Sequence, residues 1–91
     1  MHMEQHATHA GIAKRLKRAQ GHLKSIIEML ERERSCLEIA QQLQAVEKAI
    51  TNAKRALVHD HIDQCLELSM HASAKACNAS MHEFKAITKY L

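Results

Sequence analysis

Residues 35–68 read SCLEIAQQLQAVEKAITNAKRALVHDHIDQCLEL, and the spacing within this stretch decides the fold. Cys36, Ile39, Leu43, Val46, Ile50, Ala53, Leu57, His61, Cys65 and Leu68 recur in steps of three and four. Such steps keep one stripe on one face of a helix, whereas a strand would need a period of two. The pattern holds over about four heptads, as in a helix that packs along its length against others. Nothing breaks it before Ser69, so the spacing predicts one helix from residue 36 to about 72. Ser35-Cys36-Leu37-Glu38 opens that helix as a capping box, with Ser35 and Glu38 each satisfying a free backbone amide of the other.

Three members of the stripe carry chemistry. His61 and Cys65 stand four residues apart, one above the other on a helical face, as a two-pronged metal clamp requires. Cys36 lies 25 residues before His61. At a rise of 1.5 Å per residue, a straight helix separates them by roughly 37 Å. One chain cannot close such a site, but two antiparallel chains can. Setting Cys36 of one copy opposite His61 and Cys65 of another places a two-fold axis near Ala49 and Ile50, with two equivalent sites per dimer.

Outward from this helix, apolar residues recur toward the N-terminus at Ile12, Leu16, Ala19, Leu23, Ile26, Ile27 and Leu30, an amphipathic helix from about residue 12. Gly21 interrupts it and suggests close approach of another backbone. Glu31-Arg32-Glu33-Arg34 forms a charged turn. Residues 1–9 are polar, with His2, His6 and His9, and read as a flexible arm. A second capping box, Ser80-Met81-His82-Glu83, predicts a short third helix with Phe84, Ile87 and Tyr90 on one face. The expected architecture is all-α, one domain over residues 1–91, with three helices per chain and the first two forming a hairpin. Two hairpins would pack as an antiparallel four-helix-bundle dimer.

Composition agrees. The chain has 91 residues, no proline or tryptophan, and only Phe84 and Tyr90 as aromatics. Its apolar content is mainly Ala, Leu, Ile and Met, which suits helices, and so short a chain gains buried area by oligomerising. From Glu4 to Glu28 no acidic residue intervenes, while Lys14, Arg15, Lys17, Arg18 and Lys24 fall in the gap, a one-signed surface suited to phosphates. No apolar run is long enough to span a membrane, and the N-terminus lacks the apolar core of a signal peptide. Three cysteines without a regular framework point to the reducing cytoplasm, where thiols stay available for metal. No nucleophile–base arrangement or glycine-rich phosphate loop suggests an enzyme. Two thiolates and one imidazole suit Cu(I). A further nitrogen from His6 or His2 would make a set for Ni(II), Co(II) or Zn(II). A thiol-redox or persulfide sensor using Cys36 and Cys65 is a further reading.

The chain resembles the CsoR/RcnR family of metal-responsive repressors. The resemblance rests on Lys14 to His22, on Cys36 followed by Gln41-Gln42-Leu43-Gln44-Ala45-Val46, on His61 with Cys65, and on Glu83 to Leu91. The runs Lys14–His22 and Cys36–Gln42 look most similar to the nickel/cobalt-responsive DmeR branch. Copper sensors commonly carry a tyrosine where this chain has Ser35. The resemblance implies a homodimer that pairs into a homotetramer, a dimer of dimers. It implies operator DNA bound through basic surfaces, here Lys14, Arg15, Lys17, Arg18, Lys54 and Arg55, and released when metal binds. It also implies Ni(II) or Co(II) held by Cys36, His61, Cys65 and an N-terminal histidine, derepressing an efflux gene. Alignment puts Glu4 at that histidine's position, flanked by His2 and His6, and with a small shift of the arm His6 is the expected ligand. Glu83 matches a glutamate that links the ligating histidine to the third helix.

Overall fold

The computed structural model describes the backbone of residues 3–71 and 74–91 and the side chains of residues 8–67 and 81–91. These form three α-helices, α1 (Met3–Glu31), α2 (Cys36–His71) and α3 (Ala74–Ile87), closed by a 3-10 turn at Thr88–Tyr90. There is no strand among the described residues. α2 begins at the residue its cap implies and runs without interruption. Two helices extend further than the sequence suggests. α1 starts at Met3, so part of the expected arm is helical. α3 starts at Ala74, which leaves Ser80 inside the helix rather than at its cap. The side chains of His2, His6, Leu68, His71 and Cys77 lie outside the described residues.

The chain divides into two compact units that share α2, residues 1–53 and residues 54–91. In the first, α1 turns back into α2 through a tight reversal. Arg34 N–H donates to the Met29 carbonyl at 3.0 Å and Glu33 N–H to the Leu30 carbonyl at 3.2 Å, the paired bonds of a Schellman ending. Glu33 takes the left-handed position of that motif, with φ of 54°. A side chain there costs roughly 1–2 kcal/mol, and glycine avoids the cost but loses some in unfolded-state entropy. Glu33→Gly is therefore expected to stabilise the fold by about 0.5–1 kcal/mol. A denaturant midpoint no higher than that of the wild type would contradict this.

The next helix is capped by one arm of the expected box. Ser35 Oγ accepts from Glu38 N–H at 3.1 Å. The Glu38 carboxylate turns instead to Arg34, whose guanidinium donates to it at 2.7 Å. A flexible cation one turn away outcompetes the reciprocal backbone contact.

The apolar stripes of α1 and α2 each resolve into two rows. Ile12, Ala19 and Ile26 are buried, as are Ile39, Val46 and Ala53, both rows stepping by seven. Ile26, Ile39 and Val46 pack together, with Met29 against them, and join the two helices of the first unit. Fully burying such a side chain contributes about 1.5–3 kcal/mol. The alternate rows remain on the surface: Leu16, Leu23 and Leu30 on α1, and Leu43, Ile50 and Leu57 on α2, with Ile50 48% exposed. In the second unit the buried row of α2 resumes at Val58, not at the expected Leu57, and continues to Cys65. Gly21 has no close neighbour: a Cβ there would meet nothing within 4 Å, contrary to the approach its position suggests.

Candidate metal centre and basic cleft

His61 and Cys65 are presented by one turn of α2, and Glu83 by α3, all within the second unit. The i, i+4 spacing stacks the imidazole and the thiol on one face, as the sequence requires. Cys65 is buried and His61 half-buried. His61 Nε2 is enclosed and has no hydrogen-bond partner among the described residues. The Glu83 carboxylate stands 3.7 Å from it, too far for a hydrogen bond and near enough to attract a positive charge. Burial pushes the Cys65 thiol above its ordinary value, and the Glu83 charge adds to the push. Near neutrality this sulfur keeps its proton.

Cys36 is the first residue of α2 and is exposed, not on a buried seam. It continues the surface row of Leu43, Ile50 and Leu57 at the same seven-residue spacing. Among the described residues no three His, Cys, Asp or Glu side chains gather into a metal-sized group. His6 falls within α1, but its side chain is outside the described residues.

Lys14, Arg15, Lys17 and Arg18 are exposed along α1, and Lys54 and Arg55 along α2. In the first unit an open cleft of about 430 Å³ lies between Arg15, Arg18, Ala19 and His22 of α1 and Ala49 and Asn52 of α2. Lys14 and Lys17 do not line it. His22 Nε2 donates to Gln42 Oε1 across the two helices. Neither His22 nor Asn52 belongs to the site residues expected from the sequence. The signal for His22 was its position, four residues after Arg18 and seven after Arg15 on the same helical face.

The sequence profile of a family described as metal-sensitive transcriptional repressor matches residues 8–90. The chain belongs to that family. Its members are repressors, not enzymes, and the CsoR/RcnR resemblance read from the sequence is the same family. The copper-sensing transcriptional repressor CsoR of Mycobacterium ulcerans is 39% identical over 56 residues, covering 62% of this chain and 48% of that protein. The chain thus spans about half the length of the mycobacterial CsoR proteins it matches. CsoR of Bacillus subtilis, also copper-sensing, is 32% identical over 80 residues, covering 86% of this chain and 79% of its own. Among solved structures, the nickel-responsive transcriptional regulator InrS shares the fold, with a TM-score of 0.77 at 24% identity over 90% of this chain and 91% of that one. No helix among the described residues is long and apolar enough to cross a membrane.

Proposed function

We propose that this CsoR/RcnR-family chain is a cytoplasmic metal-responsive repressor acting as one module over residues 1–91. It binds operator DNA as a metal-free homotetramer, a dimer of antiparallel dimers, and releases it on taking up Ni(II) or Co(II), so derepressing a metal efflux gene. The observation that carries this reading is the unbroken α2, with exposed Cys36 at its first residue and the His61–Cys65 pair 25 residues later. At 1.5 Å per residue the separation is roughly 37 Å, so the third ligand comes from a second copy. The surface rows Leu43, Ile50, Leu57 and Leu16, Leu23, Leu30 support that pairing, because an antiparallel neighbour would cover them.

The donor set fits a transition metal. His61 Nε2 is a buried nitrogen without a hydrogen-bond partner among the described residues, and two thiols complete a soft, charge-neutralising set. His6, with His2 and His9 as alternatives from the same segment, would supply a further nitrogen for Ni(II), Co(II) or Zn(II). Bound there, the ion supplies positive charge and fixed ligand directions. The protein does the rest. Glu83 orients His61 and draws α3 toward the site. Lys14, Arg15, Lys17, Arg18, Lys54 and Arg55 neutralise DNA phosphates, so operator affinity falls steeply with salt. The two sites act on one equilibrium, and DNA must weaken metal binding by the factor by which metal weakens DNA binding. Because Cys65 holds its proton near neutrality, metal affinity rises with pH as that proton is displaced.

Glu83→Gln sets two effects against each other. It removes the smaller of the two pushes on the Cys65 thiol, which favours binding, and it loosens His61, which opposes it. Loss of such an orienting partner typically costs 10–100-fold in metal affinity. With the carboxylate mostly exposed, a drop of about tenfold is expected from competition against a chelator of known affinity. Unchanged or tighter binding would remove Glu83 from the site.

A second reading, Cu(I) sensing through Cys36, His61 and Cys65 alone, is favoured by the copper-sensing names of the sequence relatives. The deciding experiment titrates the operator complex with Ni(II), Co(II), Zn(II) and Cu(I) under reducing conditions while recording visible spectra. Release by Ni(II) or Co(II), with d–d bands, supports the proposal. Release by Cu(I) alone, without such bands, supports the second reading. Metal-independent loss of DNA binding that reductant reverses points to a thiol-redox sensor instead.

A further inference from the structure

Glu47 and Lys54 are exposed and stand seven residues apart on α2, so they share one flank of the helix. Neither has an opposite charge three or four residues away, where an ion pair within the helix would form. Glu47 has Leu43, Gln44, Ile50 and Thr51 at those positions, and Lys54 has Ile50, Thr51, Leu57 and Val58. Among the described residues neither makes an ion pair at all.

The flank they occupy is the one that α1 leaves open. Ile39 and Val46 pack against Ile26 of α1, and on their far side Gln42 meets His22. At roughly 100° per residue, the surface row of Leu43 and Ile50 comes next around the helix, with the row of Glu47 and Lys54 about 40° beyond it. α1 thus covers one side of the leucine row, and the two charges border the other. His61 is the next member of the charged row, again seven residues on.

Three independent patterns on α2 mark the same centre. Placing Cys36 opposite the midpoint of His61 and Cys65 puts a two-fold axis between Ala49 and Ile50. Leu43 and Leu57 are symmetric about Ile50 itself. Glu47 and Lys54 are symmetric about the midpoint of Ile50 and Thr51. The three centres fall within one residue, about 1.5 Å of helix rise.

We propose that Glu47 of each copy pairs with Lys54 of the other across the antiparallel α2 seam, giving two equivalent ion pairs that flank Ile50 and fix the direction and register of assembly. The inference rests on the antiparallel-dimer reading and deepens it. In a parallel pair the same two side chains would stand about 10 Å apart along the axis, beyond the reach of an ion pair. The apolar row alone cannot set the register, because a slip of one heptad still matches Leu43 with Ile50. The same slip sets Glu47 against Glu47 or Lys54 against Lys54, which repel. Lys54 keeps its place in the basic set, since the pair lies at the rim of the seam and an ammonium has three donors.

The experiment dilutes the full-length, metal-free protein without DNA and follows dissociation by analytical ultracentrifugation, with helicity checked by circular dichroism. Glu47→Lys and Lys54→Glu each turn two attractions into two repulsions and should weaken the dimer by about five- to thirtyfold. At a concentration where each variant alone has dissociated, an equal mixture of the two should reassemble, because both pairs are then complementary. Lys48→Glu makes the same change of charge on a different flank and should assemble like the wild type.

Wild-type assembly in both single variants, with Ile50→Glu dissociated, overturns the ion pairs and leaves the antiparallel dimer standing. Single variants that are weakened and stay weak when mixed also overturn the pairing, because mixing repairs only a contact between copies. An equal loss in Lys48→Glu assigns the effect to net charge and overturns it as well. A wild-type protein that is monomeric throughout overturns both this proposal and the dimer reading beneath it.

Discussion

Cys36→Ala should leave operator binding of the metal-free protein within about twofold of wild type and abolish its release by metal. The first half follows from exposure: Cys36 is at the helix start on the surface, where substitutions usually change stability by no more than about 0.5 kcal/mol. The second half follows from ligand arithmetic. Structural sites of thiolates and imidazoles bind with roughly 10–16 kcal/mol, or about 2.5–5 kcal/mol for each of three or four ligands. Losing one lowers affinity by more than about 100-fold and leaves an open coordination position. His61→Ala and Cys65→Ala should do the same, although Cys65 is buried and its variant also loses packing. Operator release measured by fluorescence anisotropy, with and without Ni(II), reads both halves at once. Loss of DNA binding by metal-free Cys36→Ala under reducing conditions would show that sensing and DNA contact are not separable. Mixing Cys36→Ala with His61→Ala adds a sharper check. In an antiparallel pair of one variant with the other, one site has lost both ligands and the second retains all of them, so the mixture should regain part of the metal response.

Ile50→Glu should break the assembly while barely disturbing the single chain. The side chain is 48% exposed in the isolated structure, and on that ground alone a charge there would be close to neutral. Antiparallel pairing changes its surroundings entirely. With the two-fold axis near Ala49 and Ile50, the two copies of residue 50 face each other, and the substitution puts two like charges into an apolar seam. Burying charged groups without partners costs several kcal/mol each, so dimer affinity should fall by more than about 100-fold. Analytical ultracentrifugation should then show monomer where the proposed assembly predicts a tetramer for wild type, and operator binding should be lost with it. Thr51→Glu, one position round the helix, is the control that should retain assembly. A tetrameric Ile50→Glu protein would mean that the surface rows of α1 and α2 meet something other than a second copy of this chain.

Much of the fold was legible because helical periodicity is written directly into spacing. The continuous α2, its start beside Ser35, and the reversal at Glu31–Arg34 all follow from apolar steps and a capping hydroxyl. The start of α3 did not. Ser80-Met81-His82-Glu83 fits a capping box, but the preceding Ala74-Lys75-Ala76-Cys77 has high helical propensity and carries the helix across it. Glu83, the last residue of that supposed box, faces His61 instead. Glu38 likewise left the backbone for Arg34, because a mobile cation competes well with an amide at an exposed helix end. At the candidate site, the His61–Cys65 pairing was visible in a four-residue interval. The enclosure of His61 Nε2 and the burial of Cys65 were not, since they depend on which element arrives opposite.

The sequence by itself determined the helices, the stacking of His61 above Cys65, and the 25-residue interval from Cys36 to His61 along α2. Each is a matter of rise and angle along a single helix axis, which spacing alone specifies. Only the tertiary structure decided that Ile12, Ala19 and Ile26 turn inward with Ile39, Val46 and Ala53 while the intervening leucines stay at the surface. It also decided that a cleft lined by Ala19 and Ala49 lies between α1 and α2, and that His22 meets Gln42 of the other helix. The reason is geometric. A heptad with two apolar positions offers two faces, and spacing records the angle between them without recording which neighbour packs against either.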